Sequence, residues 1–109
     1  MPGAKVVVLY PVPKDVDAFE RAYTQEHAPM VTPETFQGIT KFVATRILGT
    51  PDGSAAPFHR IAELHFPSME VLKAAAGSPP AQQAIAHAVS ISSGGKPIFL
   101  VAEEETRRF

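Results

Sequence analysis

Seven side chains in this sequence have the chemistry for proton transfer or polar ligand recognition: Tyr10, Tyr23, His27, His59, Glu63, His65 and His87. Tyr23 and His27 are four residues apart, so on a helix their side chains meet on one face. Val16, Phe19 and Met30 fall on the same stripe, which points at a core. A histidine there is either a packed group near the helix C-terminus, where the dipole favours its charged form, or a polar group lining a cavity between helix and sheet. The near-neutral pKa of imidazole suits the second role to general acid/base work. Glu63 sits in the apolar setting Ile61-Ala62-Glu63-Leu64, where a carboxylate must be paired or meet water. It is expected either as an ion-pair partner between subunits or as an acid/base group near His27. His65 is two residues on, on the same strand face. His59 and His65 lie six residues apart on one strand, about 20 Å, and cannot share a metal within one chain. His87 on the last helix is either an exposed histidine or a group facing the same cavity, and Tyr10 ends the first strand. No phosphate loop, nucleophile elbow or HExxH pattern is present, and no metal site is expected.

Composition narrows the function classes. The chain has 109 residues, 10 Lys+Arg against 11 Asp+Glu, and no cysteine. A balanced charge lacks the clustered positive excess that phosphate contacts need, so nucleic acid is not an expected partner. Absence of cysteine excludes disulfides, Fe–S clusters and thiol catalysis. No apolar run approaches the roughly 20 residues of a membrane span, and Met1-Pro2-Gly3-Ala4-Lys5 has no signal-peptide layout. A cytoplasmic single domain over residues 1–109 is the expectation.

The elements that must position these side chains are read from periodicity and punctuation. Val6 to Tyr10 is an apolar strand closed by Pro11 and Pro13. Asp15 caps a helix that runs to His27 or Ala28, with Pro29 at its end. Ile39–Leu48 is a second strand, Gly49–Pro57 a loop closing a hairpin, and Phe58–Phe66 a third strand. Its alternation puts Phe58, Arg60, Ala62, Leu64 and Phe66 on one face and His59, Ile61, Glu63 and His65 on the other. Ser68 caps a helix reaching Gly77, Ser78 caps a second helical piece from Ala81 to about Val89, and Pro97–Glu103 is the last strand. Strand, helix, strand, strand, helix, strand is the ferredoxin-like βαββαβ order of the α+β class.

That arrangement covers one sheet face with helices, yet the strands are apolar on both. Val6, Val7, Val8 and Leu9 cannot all face the helices, and the second strand has Phe42 on one side and Val43 and Ile47 on the other. An exposed apolar sheet face is an association surface, and a symmetric homodimer packed sheet on sheet covers it.

Several stretches then resemble one family. Lys5-Val6-Val7-Val8-Leu9-Tyr10-Pro11, Phe19, and Tyr23-Thr24-Gln25-Glu26-His27-Ala28-Pro29-Met30 resemble the opening of EthD proteins. Ile61-Ala62-Glu63-Leu64-His65-Phe66-Pro67-Ser68 resembles their third strand and its turn, and Ala76-Gly77-Ser78-Pro79 and the closing Gly94 to Glu103 also fit. Met30 stands where leucine is usual, His87 where many relatives carry an acid, and Ser90-Ile91-Ser92 where an aromatic is frequent. The resemblance implies a dimeric α+β barrel and an oxidoreductase label without a mechanism. Nothing in the chain resembles a nicotinamide or flavin fingerprint, so no cofactor is expected. Two readings follow. One is an enzyme acting on a small apolar or aromatic compound, with His27, Tyr23 and Glu63 as catalytic groups and Tyr10, Phe19, His65 and His87 as ligand contacts. The other is a non-catalytic binding or accessory protein of a degradation pathway. Haem held by His27 or His87 is a third.

Overall fold

The computed structural model describes residues 3–109, so Met1 and Pro2 of the N-terminal stretch lie outside the described residues. Four strands, β1 (Ala4–Pro11), β2 (Lys41–Arg46), β3 (Phe58–Phe66) and β4 (Ile98–Glu103), form one antiparallel sheet in the order β2-β3-β1-β4. Three α-helices, α1 (Val16–Ala22), α2 (Met69–Ala76) and α3 (Pro79–Ile91), accompany it. This is the ferredoxin-like fold expected from the order of elements.

Local chemistry sets most boundaries. Asp15 Oδ1 accepts from the Ala18 N–H at 3.0 Å, Ser68 Oγ from the Val71 N–H at 3.2 Å, and Ser78 Oγ from the Ala81 N–H at 3.3 Å. Each satisfies an orphan donor of a first helical turn. Pro79 and Pro80 occupy that turn of α3, where their missing N–H costs nothing. Gly94 lets the loop before β4 pass the Val12 backbone, because a Cβ there would collide with the Val12 carbonyl.

The first helical segment departs from the sequence expectation. The α-helix ends at Ala22, followed by a π-helical turn over Tyr23–His27 and a 3₁₀ turn over Ala28–Met30. Pro29 explains the change. It has no N–H for the Gln25 carbonyl, and its ring would crowd that carbonyl in an α-helix. Widening the turn sends the Ala28 N–H to the Tyr23 carbonyl instead. The second strand is also shorter than its apolar pattern suggests, at six residues.

A second departure lies in β3. Tyr10 pairs with Arg60 but Pro11 with Phe58, which leaves His59 as an extra residue. Pro11 cannot donate to the ladder, and a bulge opposite it absorbs the loss. His59 therefore leaves the row of Ile61, Glu63 and His65 and turns to the helix side, against Phe19 and Glu20 of α1.

The core lies between the sheet and the helices. Ala4, Val8 and Tyr10 of β1, Ala62, Leu64 and Phe66 of β3, Phe36 from the connection, and Leu72, Ala75, Ala81, Ala84 and Ala88 of the helices are all buried. On the other face stand Val7 and Leu9, Ile61, Glu63 and His65, and Ile98 and Leu100, which pair across β1. No helix covers that face among the described residues, and Ile98 and Leu100 are exposed.

Candidate functional site

A cavity of about 310 Å³ lies between the helix side of the sheet and the helices. Val6, Val8 and Tyr10 of β1 form its floor with Ala62, Leu64 and Phe66 of β3, and Phe99 and Val101 of β4 form one side. Its roof is Leu72 and Ala76 of α2 and Ala84, Ile85 and Ala88 of α3. The space has a sequence origin. The inner face of α3 is built of alanines, too short to reach the sheet, and α3 packs chiefly against the π-turn and α2. Phe99 and Val101 remain 39% and 61% exposed, so the cavity opens along β4.

His27 and Gln82 are the polar side chains at this wall besides the Tyr10 phenol. His27 is 7% exposed. Burial, with a smaller contribution from His87, pushes its pKa down to about 4, so it is a neutral imidazole at ordinary pH. Its Nδ1 lies 3.1 Å from Nδ1 of His87, with the ring planes 14° apart and the ring centres 5.2 Å apart. A centre separation that exceeds the nitrogen separation by about two ring radii, with near-parallel planes, describes rings meeting edge to edge through an N–H···N bond. Nε2 of His87 is 3.7 Å from the Glu26 carboxylate.

The structure distributes the sequence candidates unequally. His27 and Tyr10 line the cavity, and His87 stands directly behind His27. Tyr23 and Phe19 do not line it. They stack at 5.7 Å and pack with Tyr10 at 5.5 and 5.4 Å in an aromatic cluster of the core. The hydroxyls of Tyr10 and Tyr23 are buried without a hydrogen-bond partner, and desolvation raises the Tyr10 pKa and pushes that of Tyr23 up to about 12. Tyr23 still touches His27, with ring centres 5.8 Å apart.

Glu63 and His65 do not converge with His27. Strand alternation aims both at the uncovered sheet face, where Lys5 Nζ donates to Glu63 Oε1 at 2.7 Å and to Glu104 Oε1 at 3.5 Å. The expectation of Glu63 as a catalytic partner and His65 as a cavity contact is corrected by this placement. Glu63, His65 and Glu104 bring ligand atoms within 4.8 Å of one another, the spacing of a metal site. The Lys5 ammonium already supplies the positive charge, and its pKa is raised by the hydrogen bond to Glu63.

One cluster escaped the sequence reading. Glu20 accepts from Arg60 Nε at 3.0 Å and from a terminal Arg60 nitrogen at 2.7 Å, and His59 Nε2 lies 3.0 Å from the same carboxylate. The Arg60 hydrogen bonds hold the Glu20 carboxyl below the usual carboxylate range. Arg60 lies 4.8 Å above the Tyr23 ring, a cation–π contact. Glu20 engages two of its three nitrogens, so the cluster clamps α1 to β3 and pairs the guanidinium with a carboxylate rather than with a ligand. Nothing local to Glu20 marks it as the centre of this cluster, and the strand bulge that completes it has no local signature.

The comparisons agree with this architecture. A chain of 11.0 kDa from Rhodococcus erythropolis, uncharacterised and encoded between thcB and thcC, is 29% identical over 100 residues, covering 92% of this chain and 94% of that one. The crystal structure of an EthD (ethyl tert-butyl ether D) family protein from Bacillus halodurans superposes with a TM-score of 0.84 at 27% identity, covering 96% of this chain and all of that one. At lower identity, sharing the fold alone, stand a dimeric ferredoxin-like protein of unknown function from Bacteroides fragilis (13%, TM-score 0.67, 94% and 96% covered) and SnoaB, a cofactor-independent oxygenase from Streptomyces nogalater (13%, TM-score 0.59, 98% and 95% covered). The EthD domain model matches residues 13–89, from the loop before α1 into the last turn of α3. That span carries the His27–His87 pair and most of the cavity roof, and it makes this chain a member of the EthD family.

Proposed function

We propose that this protein binds a small, uncharged, apolar or aromatic compound in the cavity between helices and sheet, and acts on it by acid/base chemistry without a tightly held cofactor. The observation that carries this reading is His27. It is a neutral imidazole at the wall of an otherwise apolar cavity, with one nitrogen fixed by His87 and the other left for a ligand. Apolar lining with a few placed polar groups is the common form of a small-molecule site. Such a wall offers no unpaired charge, which favours a neutral ligand over a carboxylate or phosphate. The working unit in this reading is a homodimer formed through the uncovered sheet face, whose apolar residues on β1, β3 and β4 need a partner. A dimeric protein of the same fold supports the homodimer by analogy, and a cofactor-independent oxygenase of that fold supports the chemistry.

Calorimetric melting with 1-naphthol and naphthalene as probes tests the site, because a ligand of the native state raises Tm. Wild type is expected to gain Tm with either probe, and Ala84→Leu to gain none. A phenol panel incubated with wild type and His27→Gln then tests the chemistry: product from wild type and at least a tenfold loss in the variant, with the dimer intact, is expected. Binding without turnover of any phenol overturns the catalytic part in favour of a binding or accessory protein. No binding of either probe overturns the site.

A further inference from the structure

We infer that His87 sets which proton His27 presents to the cavity, and that Glu26, His87 and His27 together form a proton path from solvent to the cavity wall. The inference rests on the reading of His27 as the acid/base group and assigns roles to the two residues behind it.

The path is continuous and graded in exposure. His27 is at the cavity wall and 7% exposed. The His87 side chain is 24% exposed, and that of Glu26 64%. The links are a 3.1 Å hydrogen bond between the two Nδ1 atoms and a 3.7 Å ion-pair contact from His87 Nε2 to Glu26 Oε1, which a small rotation of the exposed Glu26 side chain closes to a hydrogen bond. Among the described residues, no other side chain makes an ion pair or hydrogen bond with either ring. The remaining titratable neighbour is Tyr23, whose ring lies 5.8 Å from that of His27.

The partners dictate the tautomers. A neutral imidazole donates through one nitrogen and accepts through the other. The Glu26 carboxylate favours the proton of neutral His87 on Nε2. That leaves Nδ1 of His87 as an acceptor, so His27 must donate from its own Nδ1. Its Nε2, the nitrogen that His87 does not engage, is then left as a bare lone pair on a residue of the cavity wall, a base. When His87 takes up a second proton, its Nδ1 becomes the donor. His27 must now accept through Nδ1 and carry its proton on Nε2, as a neutral donor to the cavity. Protonation at the surface thus converts the cavity group from acceptor to donor without charging it.

The same bonds transfer protons in a balanced way. His27 Nε2 takes a proton from a ligand O–H. The Nδ1 proton of His27 passes to Nδ1 of His87, and the Nε2 proton of His87 leaves to the Glu26 carboxylate or bulk water. The ligand is left as its anion, and the net change is one proton moved from ligand to solvent. Glu26 and His27, neighbours in the widened turn, meet opposite ring nitrogens of His87, as this path requires.

Long-range ¹H–¹⁵N correlation on histidine-labelled protein tests the inference with no ligand present. Nitrogen shifts report the tautomer of each ring, and a through-hydrogen-bond N–N coupling reports the shared proton. Wild type is expected to show that coupling, and to show His27 exchanging its Nδ1–H form for its Nε2–H form at the same pH at which His87 titrates. In His87→Ala, that transition is expected to vanish. Glu26→Gln changes a surface residue, so it keeps the fold. It is expected to move the His27 and His87 transitions together. A His27 tautomer indifferent to the His87 titration, or two transitions that separate in Glu26→Gln, overturns the inference. Failure of the probe experiments removes the cavity reading alone and leaves these spectra unchanged, so the two failures are distinguishable.

Discussion

Lys5 Nζ donates to Glu63 Oε1 at 2.7 Å on the sheet face opposite the helices. The pair neutralises a cation and a carboxylate in the middle of an apolar field, next to Val7 on β1 and Val43 on β2. A surface built this way can be buried by a second copy without stranding an unpaired charge.

The sheet face is therefore expected to hold a homodimer together. Leu100, 47% exposed and paired across the ladder with Val7, lies in its apolar part. Light scattering at micromolar concentration should give twice the 11.7 kDa chain mass for wild type and the chain mass for Leu100→Glu, with unchanged circular dichroism. A Leu100→Glu protein that stays dimeric contradicts the interface.

His27 should make stability fall in acid. Its folded pKa is lowered to about 4 from 6.5, so between these values the unfolded chain binds the extra proton. Stability is then complete above about pH 6.5 and declines as pH falls towards 4, with an upper bound of roughly 3 kcal/mol. Urea melts across this range check it. The His27→Gln slope should be shallower than wild type, and equal slopes refute the assignment.

The clamp between α1 and β3 should matter for stability. Arg60→Met leaves the Glu20 carboxylate, 19% exposed at its side chain, with His59 as its remaining partner and removes the cation over Tyr23. A loss of about 2 kcal/mol is expected from denaturant melts. Glu20→Gln in the same background should recover part of it, since the stranded charge is then gone.

Filling the cavity should separate binding from folding. Ala84 lines it and is 1% exposed. Ala84→Leu directs three more carbons into existing space, so stability should change by less than about 1 kcal/mol. Affinity for 1-naphthol should drop at least tenfold. Unchanged affinity would place the ligand elsewhere.

Much of this was legible in the sequence because it rests on local chemistry. Ser68 and Ser78 announced the starts of α2 and α3, and Phe58 to Phe66 alternated plainly enough to give β3 its observed bounds. Tyr23 and His27 were correctly read as inward-facing and buried. What could not be read depends on partners distant in the chain. The bulge at His59 answers a proline on another strand. The bond between His27 and His87 joins residues 60 apart. The face of Glu63 became known only once β3 was set against β1, because alternation defines two faces but does not say which one the helices cover.

The π-turn has a consequence for chain length. Its ring closes on the Ala28 N–H and the Tyr23 carbonyl, five residues apart, so it accommodates one residue more than an α-helical turn. Removing a residue from its exposed side, Thr24 or Gln25, leaves Pro29 just as unable to follow an α-helical turn, so the wide turn starts one residue earlier and everything after the cut swings by about 100° relative to α1. His27 would leave the cavity wall, and its bond to α3 would break. The segment before Pro29 thus tolerates changes of side chain on its outer surface but not of length, and chains that keep the histidine there should keep the residue count from Phe19 to Pro29 as well.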